Sequence, residues 1–102
     1  MNREEFFART SSTREITLSD GHTLKIRKLK QADVETITRQ YSTESKALDG
    51  FRYIVSRCVV DAVGNRVFSD EDQARLADVS ADDIKHIAEE VIEFSGLNSK
   101  KA

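Results

Sequence analysis

Apolar and polar residues alternate from Glu15 to Leu18 and again from Thr23 to Arg27, the two-residue period of a strand with one wet face. Between these runs, Ser19-Asp20-Gly21-His22 carries turn chemistry, so the pattern predicts a β-hairpin. Ile16, Leu18, Leu24 and Ile26 would share one face of it. A two-stranded ribbon alone is barely stable in water, so that face must pack on helices. From residue 31 onward the spacing turns helical. Val34, Ile37 and Tyr41 predict a helix over 31–42, and Leu48, Phe51, Ile54, Val55, Cys58, Val59 and Ala62 form the strongest stripe, over 45–62. Gly50 inside that stripe costs about 1 kcal/mol relative to alanine, or marks where the helix begins. Asp61 to Phe68 reads as a turn with an apolar exit.

Two further helices are expected near the end of the chain. Ser69 would cap one over 70–78, with Asp70, Glu71 and Asp72 favourable beside the positive end of the helix dipole. Ser80 would cap the other in the same way. That helix carries Ile84, Ile87, Ala88, Val91 and Ile92 and stops at Gly96, where Leu97 can fold back in a Schellman ending. At the other end, Asn2 and Glu5 have the spacing of a reciprocal cap for one helical turn over 2–8. The expected organisation is a flexible N-terminal arm (1–13), a single domain (14–97) and a disordered tail (98–102). The domain is mainly α, with three to four helices and an N-terminal β-hairpin.

Composition narrows the function classes. The chain has 102 residues, 38% apolar and 33% charged, so its core is modest and its stability margin small. Burial against a partner would raise that margin. The net charge is −2, from 16 basic and 18 acidic residues, so no uniform field draws it to nucleic acid or to anionic lipid. Lys25, Arg27, Lys28 and Lys30 do cluster. They read either as the solvated face of a strand or, in the alternative function, as the contact of a small nucleic-acid-binding regulator. There is one cysteine, Cys58, so no intrachain disulfide is possible, and its place in an apolar run is that of a buried hydrophobe. No run approaches the roughly 18 apolar residues of a membrane span, and the acidic Met1-Asn2-Arg3-Glu4-Glu5 start is unlike a signal peptide. A reducing cytoplasm is the expected compartment, without membrane association.

Catalytic chemistry finds little support. His22 follows a turn and reads as a solvated residue. His86, with Asp82 four residues before it and Glu89 and Glu90 after it, could set a histidine and carboxylates on one helical face, but a metal site needs further ligands. The paired carboxylates fall in first turns or on outward faces, no phosphate-binding or nucleophile-elbow motif occurs, and burial would suppress the Cys58 thiolate. A non-enzyme without cofactor or metal is expected. The candidate partner-binding residues are apolar ones outside a clear periodic face. Phe6 and Phe7 lie next to a polar connector and would anchor a partner or pack back on the domain. Val67, Phe68 and Phe94 would close the core or line a groove.

The order of pieces resembles a known family. An arm ending Phe6-Phe7-Ala8 leads into strands running to Thr23-Leu24-Lys25-Ile26-Arg27-Lys28-Leu29. Then come Cys58-Val59-Val60-Asp61, the turn Gly64-Asn65-Arg66-Val67-Phe68-Ser69-Asp70-Glu71-Asp72, and a last helix closing on Phe94-Ser95-Gly96-Leu97-Asn98. This is similar to the tail assembly chaperones of long-tailed phages, over about residues 14–98 and most specifically over 57–72. Lys28 stands where members often carry a small residue, and Ser95 where many have Asn. The resemblance implies a chaperone that binds the long helical tape measure protein and keeps it soluble in the host cytoplasm. It also implies self-association, absence from the mature virion and, through a ribosomal frameshift, a longer form that recruits the tail tube protein. Ser99-Lys100-Lys101 is compatible with a slippery A-rich run.

Placing Val59 in the apolar stripe has a direct consequence. Val59→Asp should abolish the cooperative thermal transition seen by circular dichroism, because an unpaired buried charge costs several kcal/mol against a total of about 5–15. A soluble, cooperatively melting Val59→Asp protein would contradict the burial of this position.

Overall fold

A computed structural model describes residues 1–8 and 12–97. In chain order the elements are α1 (Arg3–Ala8), β1 (Thr13–Thr17), β2 (Thr23–Arg27), α2 (Gln31–Gln40), α3 (Ala47–Cys58), β3 (Val59–Val60), α4 (Asp72–Arg75) and α5 (Ala81–Phe94). Short 3₁₀ turns at Glu44–Lys46 and Leu76–Asp78 precede α3 and follow α4. The architecture is mainly α with a small antiparallel sheet, as the periodicity predicts. The expected tail, 98–102, and part of the polar connector, 9–11, lie outside the described residues.

The hairpin forms in the register that alternation requires. Ile16 faces Leu24 and Arg14 faces Ile26 across the β1–β2 ladder. Ile16 and Ile26 are buried, and Leu18 and Leu24 pack half-buried against the same core. That core lies between one face of the sheet and the helix pair α3–α5, built chiefly from Ile26, Ile54, Val55, Val59, Ile87 and Val91. Asn2 and Glu5 close the reciprocal cap of α1, with Glu5 N–H to Asn2 Oδ1 at 2.8 Å and Asn2 N–H to Glu5 Oε1 at 3.0 Å. The Schellman ending also forms. Leu97 N–H donates to the Ile92 carbonyl at 3.1 Å and Gly96 N–H to that of Glu93 at 3.0 Å.

Three sequence expectations change, and the open choice at Gly50 is decided. The helix expected over 45–62 ends at Cys58, and Val59–Val60 form a third strand against β2, with Val59 beside Ile26 and Val60 beside Lys25. Two β-branched residues leave a helix at little loss, and the free edge of β2 offers backbone partners that a helix end lacks. Ala62, beyond the helix, is exposed. Leu48, expected on the buried stripe, is 60% exposed. Gly50 lies within the helix, and a Cβ there would come within 3.2 Å of Tyr41 Cβ. Its lack of a side chain lets the end of α2 approach α3. Neither serine caps through its hydroxyl. Ser80 holds the N-cap position of α5 by its carbonyl, which accepts from Ile84 N–H at 3.1 Å, whereas Ser69 donates its N–H to Asp72 Oδ2 at 2.9 Å.

The turn after β3 follows from Asp61. Its carboxylate accepts the N–H groups of Val63 and Asn65, both at 3.0 Å, and Gly64 takes φ +91, a left-handed conformation that favours glycine. The chain then doubles back, Val67 N–H donating to the Val59 carbonyl at 3.1 Å.

A buried carboxylate ties these segments together. Asp33, in the first turn of α2, is 1% exposed. It accepts Lys30 N–H at 3.0 Å and a guanidinium hydrogen bond from Arg27 at 3.1 Å, and Arg57 Nε lies 3.4 Å away. Burial alone would raise its pKa, but the Lys30 N–H and the Arg27 guanidinium outweigh burial and hold it below the usual carboxylate value. A depressed native pKa adds stability that is complete above the unfolded value of about 3.9 and is lost as pH falls through the native one. Asp33→Ala should therefore lower the unfolding free energy by about 3 kcal/mol in urea titrations near neutral pH. Asp33→Asn should remove part of the acid-side loss of stability below about pH 4. An unchanged acid limb in Asp33→Asn would assign that loss to other carboxylates.

Candidate functional site

Most polar groups that sequence reasoning offers for chemistry have structural duties. Cys58 is buried in the core, and burial pushes its thiol up to about 12, so it is not a thiolate at neutral pH. His86 Nε2 donates to the Thr17 carbonyl at 3.2 Å, joining α5 to β1, and His22 pairs with Asp20 at the hairpin turn at 2.9 Å. Among the described residues no group of three or more His, Cys, Asp or Glu is arranged to hold a metal, and no helix is long and apolar enough to cross a membrane. The basic cluster does not act as a unit. Arg27 is committed to Asp33 and to the Lys28 carbonyl, and Lys28 Nζ lies 5.3 Å from the Phe94 ring.

The candidate partner-binding residues fall in three places. Phe6 and Phe7 lie on α1, 58% and 56% exposed, with rings edge to face at 5.8 Å and the Arg3 guanidinium 5.2 Å from the Phe7 ring. Phe94 sits at the opposite end of the chain, half-buried against the core beneath Arg14, 4.5 Å away, and Lys28. Two cations cover that ring, so it presents no apolar groove. Val67 and Phe68 lie together on the segment that returns from β3, Val67 exposed and Phe68 packed against the core.

Around Val67 and Phe68 the structure assembles an apolar surface that periodicity did not reveal. One cleft is lined by Val67, Phe68, Leu76 and Val79, with Asp72 and Arg75 at its edge. A second continues from it across Leu76 and Val79 to Leu48, Arg52 and Ile84. The 3₁₀ turn Leu76–Asp78 is shared by both: it buries Leu76 and brings Val79, 43% exposed, to the rim. Leu48 and Val79 were missed because each reads as an ordinary member of a stripe or a turn. An apolar residue in the first turn of α3 and another just before the Ser80 cap were the available signals.

The arrangement of these elements has a counterpart among solved structures. The chain superposes on the tail assembly chaperone of bacteriophage HK97 with a TM-score of 0.68, covering 88% of this chain and 94% of that one at 9% sequence identity. It has the fold of a phage tail assembly chaperone. At that identity the likeness resides in architecture rather than in side chains. No protein-family model and no curated protein matches the sequence.

Within this chaperone fold, the core and the rim of the clefts should respond differently to substitution. Leu76→Ala should lower stability by about 2–5 kcal/mol, since it empties a buried site between helices. Leu48→Gln should change it by no more than about 0.5 kcal/mol. Paired urea titrations read both values. A large loss for Leu48→Gln would place that side chain in the core.

Proposed function

We propose that the protein is a phage tail assembly chaperone that holds an apolar helical stretch of the tape measure protein in solution during tail assembly. The observation that carries this reading is the fold, matched over most of both chains to the HK97 chaperone. The exposed apolar clefts and the Phe6–Phe7 pair support it, because a small domain of this kind has surface left over for a partner. Each copy would cover a short segment, and each contact would be weak enough for tail tube subunits to displace it. The work belongs to the host cytoplasm, several copies acting together and none remaining in the finished virion. A longer frameshifted form would bring the tail tube protein to the complex. No step of this role requires bond chemistry.

Coexpression with the tape measure protein encoded nearby tests the reading. The soluble fraction of that protein should rise when this chain is present. Phe6→Ser combined with Phe7→Ser should weaken the complex about tenfold or more, roughly 1.4 kcal/mol, with helix content nearly unchanged. Apolar contact should hold as salt rises, whereas a nucleic-acid complex would weaken steeply. A tape measure protein equally insoluble with and without this chain would end the proposal.

A further inference from the structure

We infer that α2 is a detachable strap, latched by Asp33, which opens and melts while the aliphatic core stays folded. None of the buried aliphatic side chains of that core comes from α2. The one residue α2 buries is Asp33, and its Val34 and Ile37 are half-buried. By contrast α3 buries Ile54, Val55 and Cys58, and α5 buries Ile84, Ile87, Ala88 and Val91. Segments with little apolar burial open at a lower free energy than the core of a domain.

The helix is also weak in itself. It has ten residues, a length at which an isolated helix is marginal in water. Val34, Thr36, Ile37 and Thr38 are β-branched and lose side-chain freedom in a helix. Thr36 Oγ1 donates back to the Ala32 carbonyl at 3.1 Å, a bond that slightly weakens the ladder. Tertiary contacts must therefore hold α2, and the polar ones sit at its two ends. At the far end Tyr41 meets Tyr53 with ring centroids 5.5 Å apart, and its hydroxyl accepts from Gln73 at 3.2 Å. All three side chains are half-buried. At the near end Asp33 Oδ2 accepts from Lys30 N–H and from Arg27, while Oδ1 has Arg57 Nε at 3.4 Å. That Nε is buried and has no hydrogen-bond partner among the described residues. An ion pair short of full hydrogen bonding does little more than offset the cost of taking its charges out of water. Opening returns Asp33, Arg27 and Arg57 to water and uncovers Gly50 and Tyr53 on α3. Hinges are in place on both sides. Leu29 N–H is fastened to Ser95, and residues 42–46 are exposed throughout, so α2 can leave without drawing β2 or α3 with it.

Native-state amide hydrogen exchange of the full chain, followed by NMR in a series of low urea concentrations, tests the strap. The amides of Ile37 and Tyr41 should be at least about tenfold less protected than those of Ile54–Cys58 and Ile87–Val91. Their protection should also fall less steeply with urea, because a local opening exposes less surface than global unfolding. Ile87→Val, a core change, should lower the protection of α3 and α5 about fivefold and leave that of α2 unchanged. Asp33→Asn should lower α2 protection about tenfold or more. Should that variant not fold, Arg27→Lys, which keeps the charge and loses the guanidinium geometry, should act in the same direction. A common urea slope for α2 and α5 in the parent protein would overturn the strap, as would loss of α2 protection in Ile87→Val by the factor seen in α5. Unchanged α2 protection in Asp33→Asn, or in Arg27→Lys where that is the variant read, would overturn the latch.

Discussion

Asp33 is the constraint on which the arrangement of the other elements depends. A carboxylate removed from water must find hydrogen bonds and opposite charge, and here they come from separate parts of the chain. Lys30 N–H fixes the start of α2, Arg27 brings in the end of β2, and Arg57 brings in α3. The chain of charges continues outward. Arg57 lies 3.6 Å from Asp70, and Arg66 holds Asp70 at 2.9 Å while donating twice to the Ser56 carbonyl at 3.0 and 3.1 Å. The turn after β3 and the approach to α4 are thereby tied to α3. Positions 67, 68 and 76–79, which border the apolar clefts, inherit their place from that link.

The apolar core supplies stability from the inside of the same assembly. It is thin: one layer of aliphatic side chains between a three-stranded sheet and the α3–α5 pair. A domain of this size cannot cover all its aliphatic groups, and some of those left at the surface lie near one another. Leu48, Val67 and Val79 fall on one strip. Ser95 shows how economically the remaining joints are made. Its hydroxyl accepts Leu29 N–H at 2.8 Å and donates to the Val91 carbonyl at 2.7 Å, fastening the end of β2 to the end of α5.

Features governed by near neighbours were legible from residue order. The hairpin register, the Asn2–Glu5 cap and the Gly96–Leu97 ending all depend on groups within a few positions of one another, and each formed as the pattern implied. Val67 and Phe68 were recognisable as apolar residues without a periodic face. Leu48 was not recognisable as exposed, since it continues the α3 stripe and what covers that stripe comes from segments distant in the chain. Asp33 was equally hidden. Its spacing from Lys30 suits a helix first turn on an outward face, and nothing local says that Arg27 and Arg57 will close over it.

Val59 and Val60 draw the line most clearly. Residue order placed Val59 on the buried stripe, because that much depends on side-chain chemistry and spacing, but left Val60 off it. Whether they continue a helix or begin a strand depended on the β2 edge, more than thirty residues earlier in the chain, being brought alongside. The clefts arise in the same way, from α3, the Leu76–Asp78 turn and the returning segment meeting in space. Short-range hydrogen bonding and periodicity act within a few residues and so are written in the order of the chain, whereas a surface made by distant segments exists after they pack.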